Sequence, residues 1–163
     1  MSIRGDYRYT ESCPKLLNVG IKKNSLEKEI RLNCPRAKII YNYVKNRSGS
    51  YFSKFADIYN SKCAYCGADL RFTDGRLFEV DHFVCKSSFS ADTDGRGEAG
   101  KMDNLVLSCY SCNRGKGSLL VTEEYRYLIN PDDSSIASVF FRDENYYIKT
   151  YVSVKPAITI FEI

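Results

Sequence analysis

The sequence predicts an α+β domain braced by a metal, on three observations. Two Cys-x2-Cys pairs, Cys63/Cys66 and Cys109/Cys112, stand 42 residues apart. Short segments of strand character, "RLFEVDHF" and "NLVLSC", run between them. Apolar residues at helical spacing precede the first pair, and an alternating aromatic stretch follows the second. The chain of 163 residues suits one main domain with an appendage, and 44% hydrophobic residues suffice for a core. It has no apolar run long enough to span a membrane and no secretory h-region, so a cytoplasmic protein without membrane contact is expected. The net charge of +4 is mildly basic and does not by itself indicate nucleic-acid binding. With four thiolates on one zinc it falls to about +2.

Residues 1–23 read as an irregular basic arm, and Arg4, Arg8, Lys15, Lys22 and Lys23 are candidates to follow a nucleic-acid backbone or a partner. "NSLEKEIRLNC" at 24–34 reads as a helix capped by Asn24 or Ser25, and Pro35 is placed to open a second over "RAKIIYNYVKN". In "YFSKFADIYN", Phe52, Phe55, Ile58 and Tyr59 form one apolar face. Gly67 permits the turn of the first cysteine knuckle, and "TDGR" signals a hairpin turn. "SSFSADTDGRGEAGK" reads as a polar, glycine-rich loop. Its Asp92, Asp94 and Glu98 lack the full calcium-loop pattern and are taken as solvated. The second knuckle runs into a helical turn, "TEEYRYLI" reads as helix, and "SVFFRDENYYIKTYVSV" as a hairpin turned at Asp143-Glu144-Asn145. The parts are thus residues 1–50, an arm with helices; 51–120, the core; and 121–163, a helix with a β-rich extension.

Zinc takes four soft ligands in a tetrahedron, and two knuckles supply two thiolates each. Cys63, Cys66, Cys109 and Cys112 are therefore expected to hold one structural zinc. A thioredoxin-like motif would need a βαβ context that is missing here. A closed four-cysteine site has no open coordination position, so it folds the chain rather than reacting. Cys85, Cys13 and Cys34 read as small buried hydrophobes.

The only histidine, His82, follows Asp81. Downstream stand Asn104, ahead of the second strand, and Asn113, directly after the last zinc cysteine. The order is Cys-x2-Cys, Asp-His, Asn-Leu, Cys-x2-Cys-Asn-x2-Lys. It resembles the HNH nuclease family, the zinc-braced branch of the ββα-metal (His-Me finger) fold, over about residues 52–118. Where that family often ends on His, this chain has Asn113. The resemblance implies a ββα-metal core and a phosphodiester-cleaving enzyme. It implies His82 as general base, Asp81 and Asn113 as ligands of a catalytic Mg²⁺ or Mn²⁺, and Asn104 holding the histidine loop by hydrogen bonds.

The chemistry agrees with those residue types. A histidine with a pKa near 6.5 can take a proton from water at neutral pH. A hard divalent ion prefers oxygen ligands and can bridge the phosphate and the leaving 3′ oxygen. Products with 5′-phosphate and 3′-hydroxyl ends are expected. Water as nucleophile needs no 2′-hydroxyl, so DNA is the default substrate, with RNA also compatible. Side chains alternate across a strand, so Asp81 and His82 can share one site only if the strand ends or bulges there. Glu79 is read as a salt-bridge or outer-sphere residue. Arg114, Lys116, Lys86 and Lys101 are candidates to grip phosphates, or else a solvated charged surface. The alternative to the enzyme is a non-catalytic zinc ribbon that binds nucleic acid or protein, which has no use for Asp81-His82, Asn104 and Asn113. The layout is also similar to HNH components of bacterial defence systems that work beside an ATPase.

Overall fold

The computed structural model describes residues 7–8, 16–118 and 123–151. Helix α1 spans Val19–Asn33, α2 Tyr41–Val44 and α3 Ser50–Ile58. Strand β1, Phe78–His82, is followed by α4, Thr93–Ala99, and β2, Leu105–Cys109. Helix α5, Tyr110–Lys116, continues directly from β2. Helices α6, Glu123–Ile129, and α7, Ile136–Val139, lead to the hairpin of β3, Phe140–Arg142, and β4, Ile148–Thr150. The result is the α+β arrangement expected, with two separate two-stranded antiparallel sheets among the described residues.

The β1–β2 pair is the centre. Its register runs from Phe78↔Cys109 to His82↔Leu105 without a bulge. Leu105, Val106 and Leu107 are all fully buried, so β2 is covered on both faces. Leu26 and Ile30 of α1 and Phe52, Phe55 and Ile58 of α3 belong to the same core. Buried Lys23 ties α1 into it, its ammonium donating to the Leu105 carbonyl at 2.5 Å and pairing with Asp132. Tyr59 donates to the other oxygen of Asp132 at 2.7 Å. Arg8, also buried, donates to the carbonyls of Ala64 (3.0 Å) and Pro131 (2.5 Å). Arg8 and Lys23 thus serve the interior instead of a nucleic-acid backbone. Arg4, Lys15 and Cys13 lie outside the described residues.

Four local expectations change. Helix α1 starts five residues before Asn24, and Ser25 bonds back to the Ile21 carbonyl at 3.0 Å from inside the helix. The second helix shrinks to α2, because the Tyr41 amide donates to the Gly100 carbonyl at 3.3 Å instead of continuing a helical ladder. At "TDGR", Asp74 accepts from the Arg76 amide at 2.9 Å and closes a 3₁₀ turn, not a hairpin. The glycine-rich loop contains α4, capped by Asp92, whose carboxylate accepts from the Gly95 amide at 2.7 Å. Gly95 is needed there for close approach: a Cβ would lie 2.1 Å from the Ser90 carbonyl oxygen.

Candidate active site and metal centre

The ligand atoms of Cys63, Cys66, Cys109 and Cys112 lie within 4.8 Å of one another. Two knuckles bring them together. The Cys63 amide donates to the Ala68 carbonyl and the Gly67 amide to the Cys63 carbonyl, both within 2.9 Å, and Gly67 takes φ 75°. A Cβ on Gly67 would strike the Arg8 carbonyl oxygen at 2.0 Å. The second knuckle is the first turn of α5. Hydrogen bonding with Cys112 pushes the Cys109 thiol below its ordinary range, and the same contact pushes Cys112 up. Four converging sulfurs, two of them fully buried, fit a tetrahedral zinc.

Helix α5 lies along β1 with two polar contacts in step. Glu79 and Asp81, two apart, share one face of β1, and Asn113 and Lys116, three apart, share one face of α5. The Asn113 amide nitrogen donates to Glu79 at 2.5 Å. The Lys116 ammonium lies 3.3 Å from Asp81 and donates to the His82 carbonyl at 2.9 Å. The Tyr65 hydroxyl donates to Asp81 at 2.8 Å. Burial raises the Asp81 carboxyl above the usual range, opposed by Lys116 and Tyr65. Glu79 also pairs with Arg47 at 3.4 Å and Arg114 at 3.7 Å. Asp81 and Asn113 therefore engage different partners. Together with Glu79 they give oxygen donors of the kind a hard divalent ion takes.

His82 is the last residue of β1, so the strand ends there, without a bulge. Its ring is 4.4 Å from that of Tyr41, centroid to centroid. It is 7% exposed, and its Nε2 is buried without a hydrogen-bond partner among the described residues. Burial, then Lys86 and Lys116, depress its pKa to about 4, so the ring is neutral at neutral pH. Asn104 clamps the chain beyond it. Its carboxamide oxygen accepts from the Val84 amide at 2.8 Å, and its nitrogen donates to the carbonyls of Val84 (3.0 Å) and Ala99 (2.8 Å). The Asn104 carbonyl accepts from the Phe83 amide at 2.8 Å.

The basic candidates separate. Lys116, expected at a phosphate, is 3% exposed and committed to Asp81 and His82, so it is an internal brace. Arg114 is exposed beside Glu79, with its guanidinium 4.8 Å from the Tyr110 ring centroid. Lys86 is exposed, 4.6 Å from the Tyr41 centroid. Lys101 is exposed and paired with Glu98 at 2.6 Å. Sequence reasoning missed Tyr65, Tyr41 and Lys45, whose ammonium lies 5.2 Å from the Tyr41 ring centroid. Tyr65 carried one signal, its position inside the first knuckle. The other two stand far from the motif in sequence.

Residues 63–119 match the family model described as HNH endonuclease. Over 59 residues, 36% of this chain, the sequence is 36% identical to a CRISPR-associated endonuclease Cas9 of Corynebacterium diphtheriae. The chain spans about 4% of that relative's length. No solved structure matches. None of the helices among the described residues is long and apolar enough to cross a membrane.

Proposed function

We propose, from the match of residues 63–119 to the HNH endonuclease family model, that the chain is a metal-dependent endonuclease that hydrolyses phosphodiester bonds, of DNA by preference. The carrying observation is His82: braced through its carbonyl by Lys116, with Nε2 buried and without a hydrogen-bond partner among the described residues. A group held that way is suited to take a proton from water at the scissile phosphate. Asp81 and Asn113 would hold Mg²⁺ or Mn²⁺, with Glu79 bonded to Asn113 in support. Such an ion, when bound, neutralises charge on the phosphate and on the leaving 3′ oxygen. Asn104 positions His82 by holding the backbone at Phe83 and Val84. Lys86 and Arg114 attract the phosphates. The zinc site fixes the start of α5, from which Asn113 and Lys116 project. A plain zinc ribbon would leave His82 without a purpose.

The layout, with α1–α3 before the domain and α6 to β4 after it, supports a second element of this reading: an effector of a bacterial defence system working beside an ATPase. Tyr127, Tyr146 and Tyr147 are exposed on the C-terminal part and would offer contact area to such a partner. The test of the enzyme is cleavage of plasmid, linear and single-stranded substrates with Mg²⁺ or Mn²⁺. His82→Ala should retain zinc and nucleic-acid binding and lose about 10²- to 10⁴-fold in rate. A His82→Ala protein that cuts as fast as the natural one ends this reading.

A further inference from the structure

A cleft of about 360 Å³ opens beside His82, between α2 and α4. That volume lies in the range, ~300–1,000 Å³, of pockets that take small ligands. Its two halves differ. Ile39, Ala91 and Ala99 give it apolar walls, while Lys45, Lys86 and Arg96 give it three cations. None of the described residues lining it is a carboxylate. Tyr41 gathers two of the cations, with the Lys45 and Lys86 ammonium groups 5.2 and 4.6 Å from its ring centroid. The cleft is also pre-formed. The Tyr41 amide is bonded to the Gly100 carbonyl at 3.3 Å, and Arg96 donates from Nε to the Ala91 carbonyl at 3.1 Å. Ile39 packs so closely on Gly100 that a Cβ there would lie 2.6 Å from its Cγ2.

We propose that this cleft receives one unpaired nucleotide of the substrate strand, next to the phosphate that is cut. The proposal rests on the nuclease reading above and adds the substrate class, a single-stranded or locally unpaired nucleic acid. The cations suit the phosphates on either side of the nucleotide. The apolar walls suit a base face, and Asn42 and Ser90, also in the lining, suit its polar edge. A base paired in a duplex is stacked on its neighbours and cannot enter. Ile39, Tyr41 and Lys45 precede the matched domain, so this half of the site is supplied from outside it.

The test is equilibrium binding of the full chain in buffer without added divalent ion. The probes are a fluorescent short oligothymidylate, a strand of abasic residues with the same number of phosphates, and a blunt duplex of equal length. The oligothymidylate should bind at least about fivefold tighter than the abasic strand, the lower end of what one stacked base contributes, and tighter than the duplex. Lys45→Glu and Arg96→Glu should each lower the salt dependence of binding by about one unit of slope. Lys28→Glu, an equal charge change on α1, should leave it as it is. Equal affinity for the oligothymidylate and abasic strands, or a preference for duplex, overturns the proposal. Loss of slope in Lys28→Glu as large as in the two cleft variants overturns it as well. Cleavage is measured separately. A protein that binds as described but cuts nothing keeps the cleft and loses the nuclease reading, and one that cuts duplex with no preference for bases does the reverse.

Discussion

The ammonium of Lys116 lies 3.3 Å from the Asp81 carboxylate, and both side chains are nearly inaccessible to solvent. Lys116→Met would leave a buried carboxylate without its cation, at a cost of about 3–5 kcal/mol. The denaturation midpoint of Lys116→Met should fall accordingly. Asp81→Asn placed on top of it should recover part of the loss, because the uncompensated charge is then removed. Equal stability of Lys116→Met and the natural protein would show that the pair carries no strain of this kind.

Zinc should be found at one ion per chain. Replacing any of Cys63, Cys66, Cys109 or Cys112 by Ser should remove it and unfold residues 63–119, since metal binding and folding are coupled in such sites. Metal analysis with circular dichroism decides this. A well-folded protein without zinc contradicts it.

Asn113→Ala should keep zinc and thermal stability near those of the natural protein and raise the Mg²⁺ or Mn²⁺ concentration needed for cleavage. Glu79→Gln weakens the support of Asn113, along with the ion pairs to Arg47 and Arg114, and a loss of about 10- to 100-fold in divalent-ion affinity is expected. If Asn113→Ala strips zinc, the two metal sites are not separate.

The acid limb of cleavage should lie below the ordinary histidine pKa of about 6.5. His82 must be neutral to accept a proton, and burial with Lys86 and Lys116 lowers its pKa to about 4. A divalent cation nearby moves it in the same direction. The rate should therefore hold as pH falls through 6.5 and decline only in the window below. Lys86→Gln removes one of the causes and should move that limb upward. A rate that halves near or above pH 6.5 contradicts the neutral, buried imidazole.

What the sequence disclosed was what chemistry writes locally. The cysteine spacing marks the knuckles, and Asn113 follows Cys112 directly, so helix α5 and its cargo were readable. Alternation in 78–82 and the short apolar run that opens 105–109 mark the central strands. Helix α4 was hidden because its glycines speak against a helix, while the Asp92 cap and the closeness of Gly95 to Ser90 outweigh that preference. Lysines belong by default to solvent, so nothing local announced that Lys23 and Lys116 lie inside. Their partners, Asp132 and Asp81, stand 109 and 35 residues away, and only the fold joins them. Separation along the chain likewise conceals Tyr41 against His82.

The contact between Tyr41 and His82 bears on how portable this domain is. An excised fragment of residues 63–119, fused to an unrelated scaffold, would carry its thiol cluster, Asp81, His82 and Asn113. It would leave behind Ile39, Tyr41 and Lys45, and its imidazole would meet bulk water on the side where an aromatic ring now stands. Such a graft should titrate nearer to an ordinary histidine and accept substrates less selectively. A transplant that begins at Ala37, where the buried lead-in to α2 starts, would carry the ring and the lysine along with the chemistry.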